Sequence, residues 1–305
     1  MNHLFIINPA AGKGKNLKLV PIIEEIFRDK KEEKLYIEIT NGTGHATEIA
    51  RDYSENGEYR IYSVGGDGTL NEVLNGMVNS SSSLAVIPSG TGNDFVKSIY
   101  SFAKHDRIEE LLLRVINGKE KNVDLCEVNN RYFINIASMG FDAEVAYNTI
   151  SFKKLPFISG KLAYIIGIIV TVFKYKSYKL TLEIDGKVIR LNALLAAVAN
   201  GRYYGGGINV TPKAEIDDGL FNICAIEKVS RFKILRLFPK VIKGTHSEIK
   251  EVSFYDSSRV KISSEEDIAF NIDGEITKGK EAEFKIIRNG IKIVYPKIEN
   301  QKEQS

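Results

Sequence analysis

Cysteine is nearly absent from this 305-residue chain: there are two, Cys126 and Cys224, and neither stands at metal-ligand spacing. That excludes a disulfide framework and a cysteine-built zinc site, and two isolated thiols suit a reducing cytosol. An excess of one charge is also missing, since 42 Lys and Arg face 39 Asp and Glu for a formal net charge of +3. So mild a balance makes no electrostatic case for nucleic acid, and no nucleic-acid motif is present. It does suit an anionic membrane surface. Long hydrophobic runs are lacking too. The longest, residues 162–173, falls short of the roughly 20 residues a bilayer span needs and reads as a buried helix. Met1-Asn2-His3 enters an apolar strand at once, without the charged-then-apolar build of a signal peptide. There are no repeats and no low-complexity segment, and only 299–305 reads as a disordered tail.

What is present divides in two. A chain of this length can bury a full core and is expected to form two domains. Strand patterns at 4–7, 35–39, 61–64 and 84–87 alternate with helix patterns at 17–27, 46–53, 70–78, 95–99 and 107–116. Such alternation predicts a doubly wound, parallel α/β sheet over residues 1–122. Its glycine-rich turns fall at the carboxyl ends of strands, where open α/β sheets bind ligands. From 123 to 298 the period changes to two. Residues 180–184 and 188–191 flank Asp185-Gly186, a hairpin signal. Further strands are expected at 194–199, 220–226, 252–254, 260–262, 269–272, 283–287 and 291–294, with helices near 160–173 and 232–242. This half reads as an antiparallel β-sandwich or open barrel.

The most informative stretch is Ser63-Val64-Gly65-Gly66-Asp67-Gly68-Thr69-Leu70-Asn71-Glu72. Its glycines let backbone amides approach a phosphate, and the helix behind offers its unpaired N-terminal amides. A tight βα turn would explain this stretch by itself. A second loop about 20 residues on, Pro88-Ser89-Gly90-Thr91-Gly92-Asn93-Asp94-Phe95, favours one crevice with Asp67 and Asp94 as an acidic pair. Asn71, Glu72, Thr91 and Asn93 would be its polar support. The loop Asn8-Pro9-Ala10-Ala11-Gly12-Lys13-Gly14 suits either a phosphate turn or an ordinary strand–helix connection, and Lys13 and Lys15 suit either phosphate contact or solvent. Residues 231–243 set Phe232, Leu235, Phe238 and Ile242 among Arg231, Lys233, Arg236, Lys240 and Lys243. A membrane-lying helix and a surface helix packed on the β domain fit that pattern equally.

In order and spacing, segments 8–14 (NPAAGKG), 65–76 (GGDGTLNEVLNG) and 88–95 (PSGTGNDF) resemble the lipid kinase family that includes the bacterial diacylglycerol kinases and is related to the sphingosine and ceramide kinases. The resemblance continues through 135–144 (NIASMGFDAE), 199–207 (ANGRYYGGG), 212–220 (PKAEIDDGL) and 271–275 (NIDGE), so it covers nearly the whole chain. It implies a Rossmann-like nucleotide domain followed by a β-sandwich domain that presents the lipid, with the extreme C-terminus free to return to the first domain. ATP would be lined by Asn8, Pro9, Ala10, Ala11, Gly12, Thr40, Gly66, Asp67, Gly68, Thr69, Leu70, Asn71, Glu72 and Thr91. Thr40 reads equally as a residue on the approach to a helix, and His45 as a helix cap.

By the same resemblance Glu275 is the proton acceptor for the lipid hydroxyl, although Asp273-Gly274 is also a plain hairpin signal. Asp124 and Lys161 would share a charged network with it; Lys161 reads equally as an exposed helix start. A structural Mg²⁺ would take the Asp218 side chain and the backbone carbonyls of Glu215 and Leu220, where the residues alone allow a simple turn. The implied protein is an ATP- and Mg²⁺-dependent lipid kinase, acting on diacylglycerol or a related membrane lipid. It would be cytoplasmic and peripheral at the inner face of the cell membrane, and a homodimer stays open. An NAD kinase, which shares GGDGT, and a non-catalytic nucleotide- or lipid-binding regulator are the rival readings. The DDG and DGE segments and the second glycine loop favour the lipid kinase.

Overall fold

Short apolar runs become the parallel strands of the N-terminal part. In the computed structural model, residues 1–90, 92–99, 108–141, 143–145, 160–174 and 176–297 are described. The chain splits into two units, Met1–Val123 with Asn289–Ser305, and Asp124–Arg288.

In the first unit, β1 (Asn2–Ile7) is buried at all but its first residue, as a strand covered on both faces must be. It pairs in parallel with β2 (Lys34–Ile39) and β3 (Arg60–Gly65), and β3 pairs in parallel with β4 (Ser83–Pro88). Helices α1 (Leu19–Phe27), α2 (His45–Asn56), α3 (Asp67–Met77), α4 (Val96–Ile99) and α5 (Ile108–Ile116) fill the connections. The strand order β2-β1-β3-β4 puts a reversal beside β1, and the loops after β1, β3 and β4 lie at that carboxyl edge. Phe5, Tyr62, Ile87, Leu112 and Val294 are among the side chains that close the core.

Two helix starts differ from expectation. Residues 11–14 and 16–18 form 3₁₀ turns, so α1 begins at Leu19 rather than at 17. Left-handed Gly12 and Gly14, with φ of +61° and +78°, and the Asn16 side chain bonded to the Asn8 carbonyl hold that segment tight. In the other direction, α3 begins at Asp67 rather than at Leu70. Gly66 is extended, and an acidic residue in the first turn suits the helix dipole.

The second unit is antiparallel. Its strands are β5 (Lys119–Val128, which enters it at Asp124), β6 (Arg131–Phe133), β7 (Ile136–Gly140), β8 (Tyr178–Ile184), β9 (Lys187–Ala199), β10 (Tyr203–Tyr204), β11 (Ile208–Asn209), β12 (Phe221–Glu227), β13 (Val252–Ser257), β14 (Arg259–Ile272) and β15 (Glu275–Tyr295, up to Arg288). Helices α6 (Gly160–Lys174) and α7 (Arg231–Ile242) accompany them.

Three pairs of expected short strands are each one long strand. Residues 188–191 and 194–199 are both β9, 260–262 and 269–272 are both β14, and 283–287 and 291–294 are both β15. The long strands serve two layers. The first part of β9 pairs with β8 and its last part with β7, and β14 divides between the same two partners. A register shift between Ser263 and Ile268 marks the change in β14. This is a sandwich-like closure, and it leaves alternate residues facing two cores. Ala196 and Val198 of β9 with Ile223 of β12 face one; Leu195, Ala197 and Cys224 face the other, against Ile168 and Val172 of α6 and Ile234 of α7.

Candidate functional site

Three loops of the first unit meet at the carboxyl edge of its sheet. The Asn8 side chain joins two of them: its Nδ2 donates to Thr69 Oγ1 at 2.9 Å, and its Oδ1 accepts the Ala10 amide at 2.9 Å. Gly12 lies against the third, since a Cβ there would stand 3.0 Å from the Ser89 carbonyl oxygen. The Gly65 carbonyl accepts the amides of Ser89 and Gly90. Gly66, the residue before α3, supplies no side-chain cap, so the first-turn amides have no side-chain partner at that position. Asn8, Ala10, Gly12, Gly66, Asp67 and Thr69 are thus gathered by the fold.

The two acids are brought together. Asp67 opens α3, and Asp94 is 5% exposed. The Asp94 amide donates to Asp67 Oδ1 at 2.9 Å, and Lys97 Nζ donates to Asp94 Oδ1 at 2.6 Å. A Cβ on Gly92 would stand 2.6 Å from Asp67 Oδ2, so this approach requires glycine. Burial pushes the proton affinity of the Asp67 carboxyl up, and the neighbouring Asp94 charge adds to it.

Other expected nucleotide residues are otherwise engaged. Leu70 is a core residue whose amide donates to the Gly66 carbonyl. Glu72 Oε2 accepts the Ala46 amide at 3.3 Å, and its carbonyl accepts Thr47 Oγ1. It therefore joins α3 to the start of α2. Asn71 is buried, and its Oδ1 and carbonyl accept the Asn75 side chain. Thr40 is buried directly after β2, with its amide on the Ile7 carbonyl, and His45 Nδ1 accepts the Asn41 amide. Pro9 stands half-buried in the loop after β1, and Gly68 is exposed in the first turn of α3. Thr91, Asp142, Arg107 and the tail 299–305 lie outside the described residues, as do the side chains of Lys13 and Lys161.

In the second unit, Glu275 begins β15 directly after the Asp273-Gly274 turn, where both residues have positive φ, +46° and +95°. The Asp273 carboxylate accepts three consecutive amides, Ile134, Asn135 and Ile136, at 2.9–3.2 Å. Its own amide donates to the Ile136 carbonyl. The Asn135 side chain continues to the Tyr203 carbonyl, and the Asn135 carbonyl accepts the amides of Asn200 and Gly201. Asn200 Nδ2 donates to the carbonyls of Asp124 and Ile134. Segments 135–144, 199–207 and 271–275, far apart in sequence, are therefore one network. Glu275 itself pairs with Arg131.

Asp124 is 1% exposed, and its Oδ2 accepts the Gly219 amide at 2.6 Å. It is thereby tied to the 215–220 turn. In that turn Asp218 Oδ1 accepts the Leu220 amide, while Arg288 Nη2 donates to the Asp218 carbonyl. Partial burial raises the proton affinity of Asp218, and the carboxylates of Asp124, Glu215 and Asp256 raise it further. Excess negative charge and oxygen donors fit a hard divalent cation. Among the described residues no cluster of three or more His, Cys, Asp or Glu side chains has metal-binding geometry. A set of one carboxylate and two carbonyls would not form such a cluster.

Sequence reasoning missed Arg131, Lys97 and the role of Asp273. Arginine beside a tyrosine in an ordinary hairpin carries no signal. For Asp273, the positive-φ Asp-Gly turn was legible, but its three amide partners sit about 140 residues away.

Residues 2–128 match the model of the diacylglycerol kinase catalytic domain. Residues 135–295 match the YegS C-terminal NAD kinase beta sandwich-like domain. A diacylglycerol kinase of Bacillus subtilis (strain 168) is 30% identical over 295 residues, covering 96% of this chain and 95% of that protein. One from Staphylococcus aureus (strain bovine RF122 / ET3-1) is 32% identical over 295 residues, covering 95% and 91%. A crystal structure of a diacylglycerol kinase from Bacillus anthracis str. Sterne superposes with a TM-score of 0.71 at 21% identity, covering 96% of both chains, and shows the shared fold.

Proposed function

Because the chain belongs to the bacterial diacylglycerol kinase family of lipid kinases, we propose that it transfers the γ-phosphoryl group of ATP to the hydroxyl of diacylglycerol, giving phosphatidic acid. The observation that carries this reading is the meeting of the three loops around Asn8, Gly66 and Gly90, with the uncapped start of α3 among them. Phosphoryl transfer asks mainly for positioning and charge neutralisation. The α3 amides and the 8–12 loop would hold the phosphates, and Asp67 and Asp94 would hold the cation that accompanies ATP and neutralises their charge. Glu275 takes the hydroxyl proton as the lipid oxygen attacks the γ-phosphorus and ADP leaves.

A Mg²⁺ ion at the 215–220 turn would be held by the Asp218 carboxylate and the Glu215 and Leu220 carbonyls. There it would supply structural charge balance. Asp124 and Arg288 shape that turn from either side. On the lipid side, the second unit has an apolar cavity lined by Phe141, Ile168, Leu195, Ile226, Ile234 and Phe238, with Glu251 the one charged residue at its wall among the described residues. No helix among the described residues is long and apolar enough to cross a membrane. The lipid is then met at a bilayer surface, and α7, with Phe232 at 86% exposure among basic side chains, is the face that meets it.

Glu275→Gln tests the reading. It should lower turnover by about 10²–10⁴-fold while ATP affinity stays near wild type. Full turnover in the folded variant would contradict the role given to Glu275. For the metal, Mg²⁺ should raise the melting temperature of the wild type and not of Asp218→Ala; equal responses would reduce the turn to a plain connection.

A further inference from the structure

Glu275 has a partner whose backbone is fixed independently of it. Arg131 opens β6 after a tight turn at Asn129 and Asn130, both at positive φ. That hairpin is fastened to β15 without help from Arg131: the Asn129 amide donates to the Glu283 carbonyl, and Asn129 Oδ1 accepts the Glu283 amide at 3.1 Å. On the other side, the Asp273 carboxylate and its three amides fix the turn that launches Glu275. With both main chains held in place, what the Arg131–Glu275 ion pair fixes is the glutamate side chain, which otherwise has rotamer freedom to lose. Arg131 Nη2 engages Oε2, and among the described residues no hydrogen bond to Oε1 is made. The side chains are 33% and 43% exposed, a setting in which an ion pair adds little to stability.

We infer that Arg131 is a positioning residue for phosphoryl transfer, holding Oε2 of Glu275 so that Oε1 faces the acceptor hydroxyl. The inference rests on the reading of Glu275 as the proton acceptor. In the step, the lipid O–H bond breaks and its proton passes to Oε1. The oxygen bonds to the γ-phosphorus, and the bond from that phosphorus to ADP breaks. Arg131 keeps its charge throughout and exchanges no proton.

The test is a double-mutant cycle with Arg131→Gln and Glu275→Gln, assayed on mixed vesicles, with Arg131→Lys as the conservative variant. Arg131→Gln should lower kcat roughly 10- to 100-fold and leave the melting temperature and the KM for ATP unchanged. Arg131→Lys should recover most of the loss, because one ammonium reaches one carboxylate oxygen. On the Glu275→Gln background, Arg131→Gln should cost nothing more. Wild-type kcat in Arg131→Gln, with Glu275→Gln inactive, overturns the inference and leaves the base intact. So does an equal loss from Arg131→Gln on both backgrounds, or a Lys variant as slow as Gln. An active Glu275→Gln overturns the underlying reading instead.

Discussion

Gly66 and Gly90 meet backbone to backbone: a Cβ on Gly90 would stand 2.5 Å from the Gly66 Cα. Retreat is blocked, because the Gly65 carbonyl already binds the Ser89 and Gly90 amides at 2.9 and 3.2 Å. A methyl group at position 90 must push the two loops apart. Gly90→Ala is predicted to destabilise the protein by about 1–3 kcal/mol and to weaken ATP binding about tenfold or more. Thermal unfolding and calorimetric titration with ATP measure the two effects. Wild-type values in both would show that the loops do not depend on this contact.

Asp67 is predicted to cost stability where it serves activity. Its raised proton affinity in the folded state means that the ionised form is disfavoured there, so stability from this group is lost as pH rises through the folded pKa. Asp67→Asn can keep the bond from the Asp94 amide and removes the charge. At neutral pH and without nucleotide or Mg²⁺ it should melt higher than wild type, with the difference vanishing in acid where the wild-type carboxyl is protonated in both states. Turnover should fall about 10²-fold or more. A variant that melts lower at neutral pH would contradict the electrostatic account.

His3 gives a pH dependence of the opposite sense. Burial lowers its pKa from 6.5 to about 4, outweighing the Glu33 carboxylate 3.1 Å from Nε2. With the folded pKa depressed, the neutral imidazole's contribution is full above pH 6.5 and is lost as pH falls toward 4. The slope from this one group reaches at most about 1.4 kcal/mol per pH unit. Denaturant unfolding of wild type and His3→Gln across that range should show a shallower acid loss in the variant. Parallel curves would mean that His3 titrates alike folded and unfolded.

The outer face of α7 carries the membrane prediction. Phe232, Leu235 and Ile242 are exposed on a helix that also bears Arg231, Lys233, Arg236 and Lys240. Each basic residue near an anionic surface contributes about 1 kcal/mol, and salt screens it. Activity on vesicles should rise with anionic lipid and fall with added salt, while activity on a detergent-dispersed short-chain lipid changes little. Reversing Arg231, Arg236 and Lys240 to glutamate should abolish the dependence. Equal binding of the wild type to neutral and anionic vesicles would return α7 to the role of a solvated helix.

Much of this architecture was legible because its signals are local. Short, mostly apolar runs marked β1, β3 and β4, and Asp185-Gly186 and Asp273-Gly274 marked two hairpin turns at their places. Local signals also misled. The polar stretch 264–267 in β14 looks like a break between strands, because nothing nearby reveals that β8 and β7 take successive parts of it. The start of α3 was placed three residues late, since Asp67, Gly68 and Thr69 carry turn chemistry as well as a first helical turn. In the site, Glu72 fits a phosphate-lining residue by sequence and a bond to the Ala46 amide by geometry. The Arg131–Glu275 pair spans 144 positions, a separation that no motif spacing encodes.

The central claim is phosphoryl transfer from ATP to a lipid hydroxyl. The most direct measurement incubates the purified protein with γ-labelled ATP, Mg²⁺ and vesicles containing diacylglycerol, with NAD as a parallel acceptor. The account predicts labelled phosphatidic acid, no labelled dinucleotide, and loss of the lipid signal in Glu275→Gln. Labelled NADP, or ATP binding with no transfer to any lipid tried, would contradict it.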